Sequence, residues 1–109
     1  MTADSASDAD ISLADFQRLI HKMYHEKDVQ RGVDGTFMWL IEEVGELAAV
    51  LREGSQQEIA GEFADVLAWL VTIANSVGVD LSAAVADKYG AGCPGCHLLV
   101  CNCSNEIKP

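Results

Sequence analysis

The sequence predicts an all-α fold: an antiparallel bundle of four short helices that is oligomeric and ends in a short cysteine-rich C-terminal tail. Two observations support this class. Apolar residues recur at intervals of three and four between residues 13 and 88, which is the period of a helix with one buried face. Glycines follow the periodic segments at positions 54, 78 and 90, where helices commonly end. No segment of the sequence has a convincing strand pattern.

Composition sets limits on the kind of protein. The 109 residues are 50% hydrophobic, which suits one domain with its own core. The formal net charge of −10 disfavours binding to nucleic acid or to an anionic membrane. Residues 1–11 are small and polar, so we expect a disordered leader. With neither a secretory signal pattern nor a run of about 20 apolar residues, the sequence predicts a cytoplasmic protein that does not span a membrane.

The first two predicted helices are separated by a loop. Helix one begins after Ser12, placed as an N-cap, and the stretch 28–35 is expected to form the loop. The apolar positions of helix one are Leu13, Phe16, Leu19, Ile20 and Met23. Helix two runs from about Thr36 to Glu53, with an apolar stripe at Leu40, Val44, Leu47 and Leu51.

Helical rotation distinguishes the acids of helix two. Because each residue turns about 100° around the axis, Glu43 falls at the edge of the apolar stripe. Glu46 lies about 60° further round, whereas Glu42 points about 160° away from the stripe. Glu42 is therefore the acid least suited to act as a direct ligand of a bound cation.

The third predicted helix runs from about Gln56 to Val77. Its expected core positions are Ile59, Phe63, Val66, Leu70 and Ile73. Glu62 borders this stripe and Asp65 lies just beyond it. Trp69 projects between their directions one turn along, so we expect its indole to neighbour the acids.

A short fourth helix is predicted from about Leu81 to Lys88, with Asp80 or Ser82 at its start. The helical domain then covers 12–90 and the tail covers 91–109. Short helices with wide apolar faces rarely close a core alone. We therefore expect a homodimer or a homotetramer.

Two acidic pairs are the most informative feature of the chain. Glu43 and Glu46 are three residues apart, as are Glu62 and Asp65, so each pair lies on one helix face. Two such helices packed together would aim four carboxylates at one point. Crowded carboxylates repel one another and lose hydration, a penalty that a hard divalent cation such as Mg²⁺ removes. The alternative is that these acids form ordinary solvated faces.

The same residues resemble the signature of a known family. Glu-Glu-x-x-Glu at 42–46 and Glu-x-x-Asp at 62–65, flanked by Trp-Leu-Ile at 39–41 and Val-Leu-Ala-Trp-Leu at 66–70, look like the MazG-type nucleoside triphosphate pyrophosphohydrolases. That superfamily is all-α and includes dimeric dUTPases and phosphoribosyl-ATP pyrophosphohydrolases. The resemblance covers roughly residues 13–90.

The resemblance implies a reaction and a set of ligands. It implies Mg²⁺, with Mn²⁺ as a substitute, bound by Glu43, Glu46, Glu62 and Asp65. It implies cleavage of (deoxy)nucleoside triphosphates between the α and β phosphates, giving monophosphate and pyrophosphate, with nucleotide-pool house-cleaning as one role. A carboxylate, Glu43 or Glu42, would accept the proton of the attacking water. Phosphoribosyl-ATP is a further substrate within this enzyme class.

Several accessory residues have two readings each. Trp39 and Trp69 could stack on a nucleobase or pack in the core. Lys88 matches a lysine near the family's last helix that could meet phosphates, and is otherwise a solvated lysine. His21 and His25 are four apart and could approach a metal or a base, but without a third ligand we expect surface residues. Further cations that could assist the triphosphate are Lys22, Lys27, Arg31 and Arg52.

The tail contains all four cysteines, at Cys93, Cys96, Cys101 and Cys103. Four thiolates, or three with His97, can form a closed tetrahedral Zn²⁺ site, so structural zinc is predicted. The alternative is a flexible tail with reduced thiols, since disulfides are disfavoured in the cytoplasm. Covalent haem through Cys-x-x-Cys-His and an iron–sulfur cluster are further alternatives.

Two functions from different classes follow. The first is the Mg²⁺-dependent pyrophosphohydrolase. The second is a non-catalytic helical module that uses a zinc-binding tail for interaction and keeps the acids for metal-dependent assembly. Turnover of nucleotides, and its loss in Glu43→Gln, separates the two.

Overall fold

The computed structural model describes residues 10–104. Apart from residues 10 and 11, the predicted leader lies outside the described residues, as do the last five residues of the predicted tail. Within residues 10–104 there are three α-helices and no strand. They are α1 (Leu13–Glu53), α2 (Gln56–Val77) and α3 (Leu81–Tyr89). The all-α class is therefore confirmed.

The predicted loop between helices one and two is wrong. These residues are helical in α1, except for a break at Gly32 with φ 81° and ψ 166°. The break divides α1 into a first arm, 13–31, and a second arm, 33–53. The polar composition of 28–35 suggests a loop, but Asp28 and Arg31 are one helical turn apart and form an ion pair at 3.0 Å. Among residues 10–104, the predicted helices one and two thus correspond to the two arms of α1, which meet at Gly32 without the eight-residue loop that the sequence predicts.

The helix ends follow the sequence closely. Ser12 caps α1 by accepting a hydrogen bond from the Asp15 N–H. Ser55 begins α2 with a capping box, in which its side chain and that of Glu58 each accept the other residue's backbone N–H. Asp80 caps α3, so the second choice, Ser82, is not the cap.

The second arm and α2 form the hairpin that carries the acids. Only Gly54 and Ser55 connect them, so the two helices run antiparallel. The first arm joins the end of α2, where Gln17 donates to the Val79 carbonyl at 2.7 Å and accepts from the Leu81 N–H at 2.9 Å. The side chains buried between these elements include Ile20, Leu40, Val71 and Ala74.

Several predicted core positions are exposed in this chain. On α2, Phe63 is 54% and Leu70 is 46% exposed, and on the second arm Val44 and Leu51 are 44% and 56% exposed. The buried positions of α2 lie beside the predicted stripe, at Val71, Thr72 and Ala74. The reason is that the chain packs against only one side of α2, while the apolar surface continues around the helix.

By length and composition alone, α2 is the one helix among residues 10–104 that could cross a membrane. Its most apolar window has a mean hydropathy of 1.2. This is weak support for a membrane span, because core helices of soluble proteins have the same length and composition. Glu62 and Asp65 also lie near its middle.

Candidate functional site

The hairpin of the second arm and α2 gathers three carboxylates. Glu43 and Glu46 lie one turn apart on the second arm, and Glu62 faces them from α2. One oxygen of each carboxylate lies within 4.8 Å of the others. Glu43 and Glu62 are half-buried and Glu46 is exposed. The helical spacing therefore brings these three acids together, and we refer to them as the carboxylate cluster.

Glu62 is the member of the cluster with the most unfavourable surroundings for its charge. Burial, followed by the nearby charges of Glu43, Glu46 and Asp65, raises the pKa of Glu62 to about 7 from its ordinary value of 4.5. Its Oε2 atom is buried and has no hydrogen-bond partner. A buried carboxylate oxygen without a donor carries a desolvation penalty. A cation between the three carboxylates would remove both that penalty and the repulsion.

Two tryptophans border the cluster. The Trp69 Nε1–H donates to Glu43 Oε2 at 3.1 Å, so the indole contacts an acid of the facing helix, and it lines the same cavity as Asp65. Trp39 stacks on Trp69 with ring centroids 5.8 Å apart and an interplanar angle of 9°. This hydrogen bond orients Glu43 and leaves its second oxygen free of Trp69.

A cavity of about 310 Å³ lies next to the cluster. Its volume is at the lower end of the range for small-molecule sites. Its polar and aromatic lining comprises Tyr24, Lys27, Asp28, Arg31, Asp65 and Trp69. The cavity thus combines cationic side chains, an indole and an acid of the predicted metal site.

The remaining predicted site residues are placed differently. Asp65 is exposed and lies outside the carboxylate cluster, but it lines the cavity. Glu42 is exposed and is not part of the cluster. Lys88, on α3, has its Nζ 5.6 Å from the Tyr89 ring and does not line this cavity. The exposed rings of His21 and His25 stack on each other at 4.2 Å and join no cluster of metal ligands among the described residues.

A polar network beside the cavity was not singled out from the sequence. Arg31 donates to Asp28 Oδ1 at 3.0 Å and to Thr36 Oγ1 at 3.1 Å, and its guanidinium lies 4.8 Å from the Trp69 ring centroid. Asp28 is 5% exposed and Thr36 is fully buried. The signal was present as an Asp-x-x-Arg helical pair, but it lay in the predicted loop.

The four tail cysteines also come together. Their sulfurs all lie within 4.8 Å of one another, and none forms a disulfide. Backbone N–H groups, first that of Asn102, lower the pKa of Cys96 to about 6. The sulfurs of Cys101 and Cys93 raise the pKa of Cys103 to about 12. The backbone donors thus favour a charge on Cys96, whereas the neighbouring sulfurs oppose a charge on Cys103 unless a cation is present.

Comparison with known proteins identifies one family. The model of the MazG nucleotide pyrophosphohydrolase domain matches residues 31–97. This match covers more than half of the chain and includes the carboxylate cluster, Asp65 and both tryptophans. No curated protein matches the chain.

Proposed function

The chain belongs to the MazG nucleotide pyrophosphohydrolase family, and we propose that it hydrolyses nucleoside or deoxynucleoside triphosphates between the α and β phosphates, releasing monophosphate and pyrophosphate. One observation carries the proposal. Three carboxylates from two helices converge within 4.8 Å beside a cavity, and the buried Glu62 Oε2 has no donor. Solvated surface acids would have no reason to converge in this way.

The carboxylates fit a hard divalent ion. We assign Glu43, Glu46 and Glu62 as ligands of Mg²⁺, or of Mn²⁺ in its place, with Asp65 as the fourth acid from the cavity wall. When bound, such an ion neutralises negative charge on the phosphates and lowers the pKa of bound water. The three oxygens come from flexible side chains, so small rotations are enough to bring them to a common ligand.

Glu43, or Glu42 beside it, accepts the proton of the attacking water. Trp69 supports Glu43 in this role because its N–H donates to one carboxylate oxygen at 3.1 Å and leaves the other oxygen to act. Correct orientation of the acceptor is what general base catalysis needs. Glu42 is exposed and would act through water.

The cavity supplies contacts for the substrate. Arg31 and Lys27 line it and can meet phosphate oxygens. Trp69, with Trp39 stacked on it, offers an aromatic surface for a nucleobase, and Lys88 is a further candidate phosphate contact from α3. We assign no nucleic-acid or membrane partner. A role in nucleotide-pool house-cleaning in the cytoplasm, by a homodimer or homotetramer, completes the proposal.

A second candidate function has its own support. The cluster of four cysteines takes no part in the proposed reaction, and it is what a non-catalytic, zinc-binding interaction module would contain. In that case the acids would serve metal-dependent assembly only, and the protein would not turn nucleotides over.

A turnover experiment separates these functions. The purified chain is incubated with Mg²⁺ and a panel of ribo- and deoxyribonucleoside triphosphates, and the products are resolved by ion-exchange chromatography. We expect monophosphate and pyrophosphate, and a loss of at least about 100-fold in Glu43→Gln, because a ligand and proton acceptor is removed.

Glu53→Gln is the matched control, since Glu53 is an exposed glutamate on the same helix outside the cluster, and it should retain activity. Diphosphate and phosphate as products would show that the cleavage site is misassigned. Absence of turnover across the panel, in the native chain as in Glu43→Gln, would favour the interaction module.

A further inference from the structure

The tail after α3 folds into a compact turn around its four cysteines. The Cys93 N–H donates to the Leu98 carbonyl at 2.8 Å, and the His97 N–H donates to the Cys93 carbonyl at 2.7 Å. These two bonds close the segment that contains Cys93 and Cys96. The following residues then return Cys101 and Cys103 to the same place.

The sulfur separations match a metal site and not a disulfide. Cys93 Sγ lies 3.5 Å from Cys101 Sγ and 3.8 Å from Cys103 Sγ, and all four sulfurs lie within 4.8 Å of one another. With Zn–S bonds of about 2.3 Å, the sulfurs of a tetrahedral zinc site lie about 3.8 Å apart. A disulfide needs about 2.05 Å. The four atoms are thus arranged around a space of the right size for one ion.

Backbone donors point at the sulfurs. Three N–H groups donate to them: Gly95 to Cys93 at 3.3 Å, Asn102 to Cys96 at 3.3 Å, and Cys103 to Cys101 at 3.2 Å. Donors of this kind stabilise thiolates over thiols and orient metal ligands. These N–H donors are a second observation, independent of the sulfur separations, that favours thiolates at this position.

The backbone adopts unfavourable conformations to reach this arrangement. His97 has φ 62°, which is uncommon for a residue with a side chain. A Cβ atom at Gly95 would lie 2.8 Å from Cys103 Sγ, and one at Gly92, which has φ 108°, would lie 2.6 Å from the Leu98 carbonyl oxygen. A tail with no ligand to hold would gain nothing from such close packing around sulfur.

We propose that Cys93, Cys96, Cys101 and Cys103 bind one structural Zn²⁺ ion through four sulfurs. The site is closed, so it has no position for substrate. Binding releases the remaining thiol protons to solvent and fixes the tail at the end of α3. The family match ends at residue 97, before Cys101 and Cys103, so family membership does not account for half of the ligands.

Metal analysis of the full chain tests the proposal. The protein is purified from zinc-supplemented medium, loosely bound metal is removed with a weak chelator, and zinc is measured by mass spectrometry. We expect one zinc per chain. The four thiols should resist alkylation until a strong chelator is added. Co²⁺ exchanged into the site should give thiolate-to-metal charge-transfer bands and the d–d bands of tetrahedral Co²⁺.

Two variants make the result specific. Cys101→Ser combined with Cys103→Ser should lose the zinc and the Co²⁺ bands, while His97→Ala, which alters an adjacent residue that is not a ligand, should keep both. Far-ultraviolet circular dichroism checks that the helices of each variant form. Zinc retained in the double cysteine variant but lost in Glu62→Gln would overturn the assignment, since the metal would then lie at the carboxylates.

Two further outcomes would also overturn it. If the purified chain contained iron and absorbed visible light, the cysteines would bind an iron–sulfur cluster and not zinc. Native chain that contains no zinc, gives no Co²⁺ bands and has four freely reactive thiols would show that the tail binds no metal. Neither outcome bears on nucleotide turnover, which depends on the carboxylate cluster.

Discussion

Glu62 holds a carboxylate where the surroundings disfavour its charge. Burial and the charges of Glu43 and Glu46 raise its pKa to about 7 from 4.5. Between these two values the folded protein keeps a proton that the unfolded chain has released. Proton linkage therefore makes the metal-free fold lose stability as pH rises through this window, and the full penalty is present above it.

This linkage gives a prediction for Glu62→Gln in the absence of divalent metal. The amide cannot ionise, so the variant escapes the penalty. We expect its melting temperature, relative to that of the native chain, to increase between about pH 5 and about pH 8. Differential scanning fluorimetry in a buffer series with chelator measures this difference.

The exposed Glu53 provides the control, because Glu53→Gln should shift the melting temperature by the same amount at every pH. Mg²⁺ should stabilise the native chain at high pH and have less effect on Glu62→Gln, which lacks one ligand. A difference between Glu62→Gln and the native chain that does not change with pH would contradict the cause given for the raised pKa.

At the residue scale, helical periodicity predicted where the acids lie but not which cationic side chains lie near them. The spacing placed Glu43 and Glu62 at their stripe edges, with Glu46 about 60° further round, and the structure brings these three acids together beside Trp69. Asp65, predicted as the fourth acid, lies outside the cluster. Arg31 was only one of several unranked cations. Its position over Trp69 depends on how the two arms of α1 meet. The periodicity of residues within one helix gives no information about that geometry.

At the scale of the elements, Gly32 determines how the two arms of α1 meet. Its φ of 81° and ψ of 166° lie in a region that is essentially restricted to glycine. Hydrogen bonds from both arms stabilise the break. Thr36 Oγ1, on the second arm, donates to the Gly32 carbonyl at 2.8 Å, and Arg31, on the first arm, donates to Thr36 and Asp28. These contacts hold Arg31, on the first arm, against the cavity.

Gly32→Ala should therefore destabilise the fold by about 1–3 kcal/mol, the usual cost of a side chain in such a conformation. A Cβ atom at Gly32 meets nothing within 4 Å, so the expected cost comes from the backbone and not from a clash. Urea unfolding followed by circular dichroism measures it.

Gly61→Ala is the matched control for Gly32→Ala. Gly61 is helical in α2 and also has open space at its Cβ position, so alanine there should be neutral or stabilise by up to about 1 kcal/mol. If Gly32→Ala were as stable as Gly61→Ala, the break would not need glycine, and α1 would be able to pass through residue 32 as a continuous helix.

The boundaries of the elements were more predictable than their connection. Local signals determined the ends, since α2 occupies the predicted span of Gln56 to Val77 and Asp80 caps α3. The segment 28–35 was misassigned because its glycines and charges are typical of loops. Its helical state depends on burial of Asp28 and Thr36, which is a tertiary effect.

At the scale of the whole molecule, apolar surface is left uncovered. Phe63, Leu67 and Leu70 of α2 follow the spacing of a single helical stripe and are 54%, 42% and 46% exposed. On the second arm, Met38 and Ile41 are 70% and 52% exposed. Such a stripe in water is more typical of an interface than of a free surface. An interface at this stripe would also account for the exposure of predicted core positions in the single chain.

We therefore expect the chain to self-associate through this stripe. Light scattering coupled to size exclusion should give a mass of two or four times 11.7 kDa, and Leu67→Glu should shift the protein to the monomer, because burying a charge opposite another copy is costly. Gln57→Glu adds the same charge at an exposed polar position of α2 and should leave the mass unchanged. Since Phe63 and Leu67 flank Glu62 and Asp65 along α2, loss of association should also lower nucleotide turnover if the proposed site relies on the neighbouring copy. A native chain that remains a monomer at micromolar concentration would refute association through this stripe.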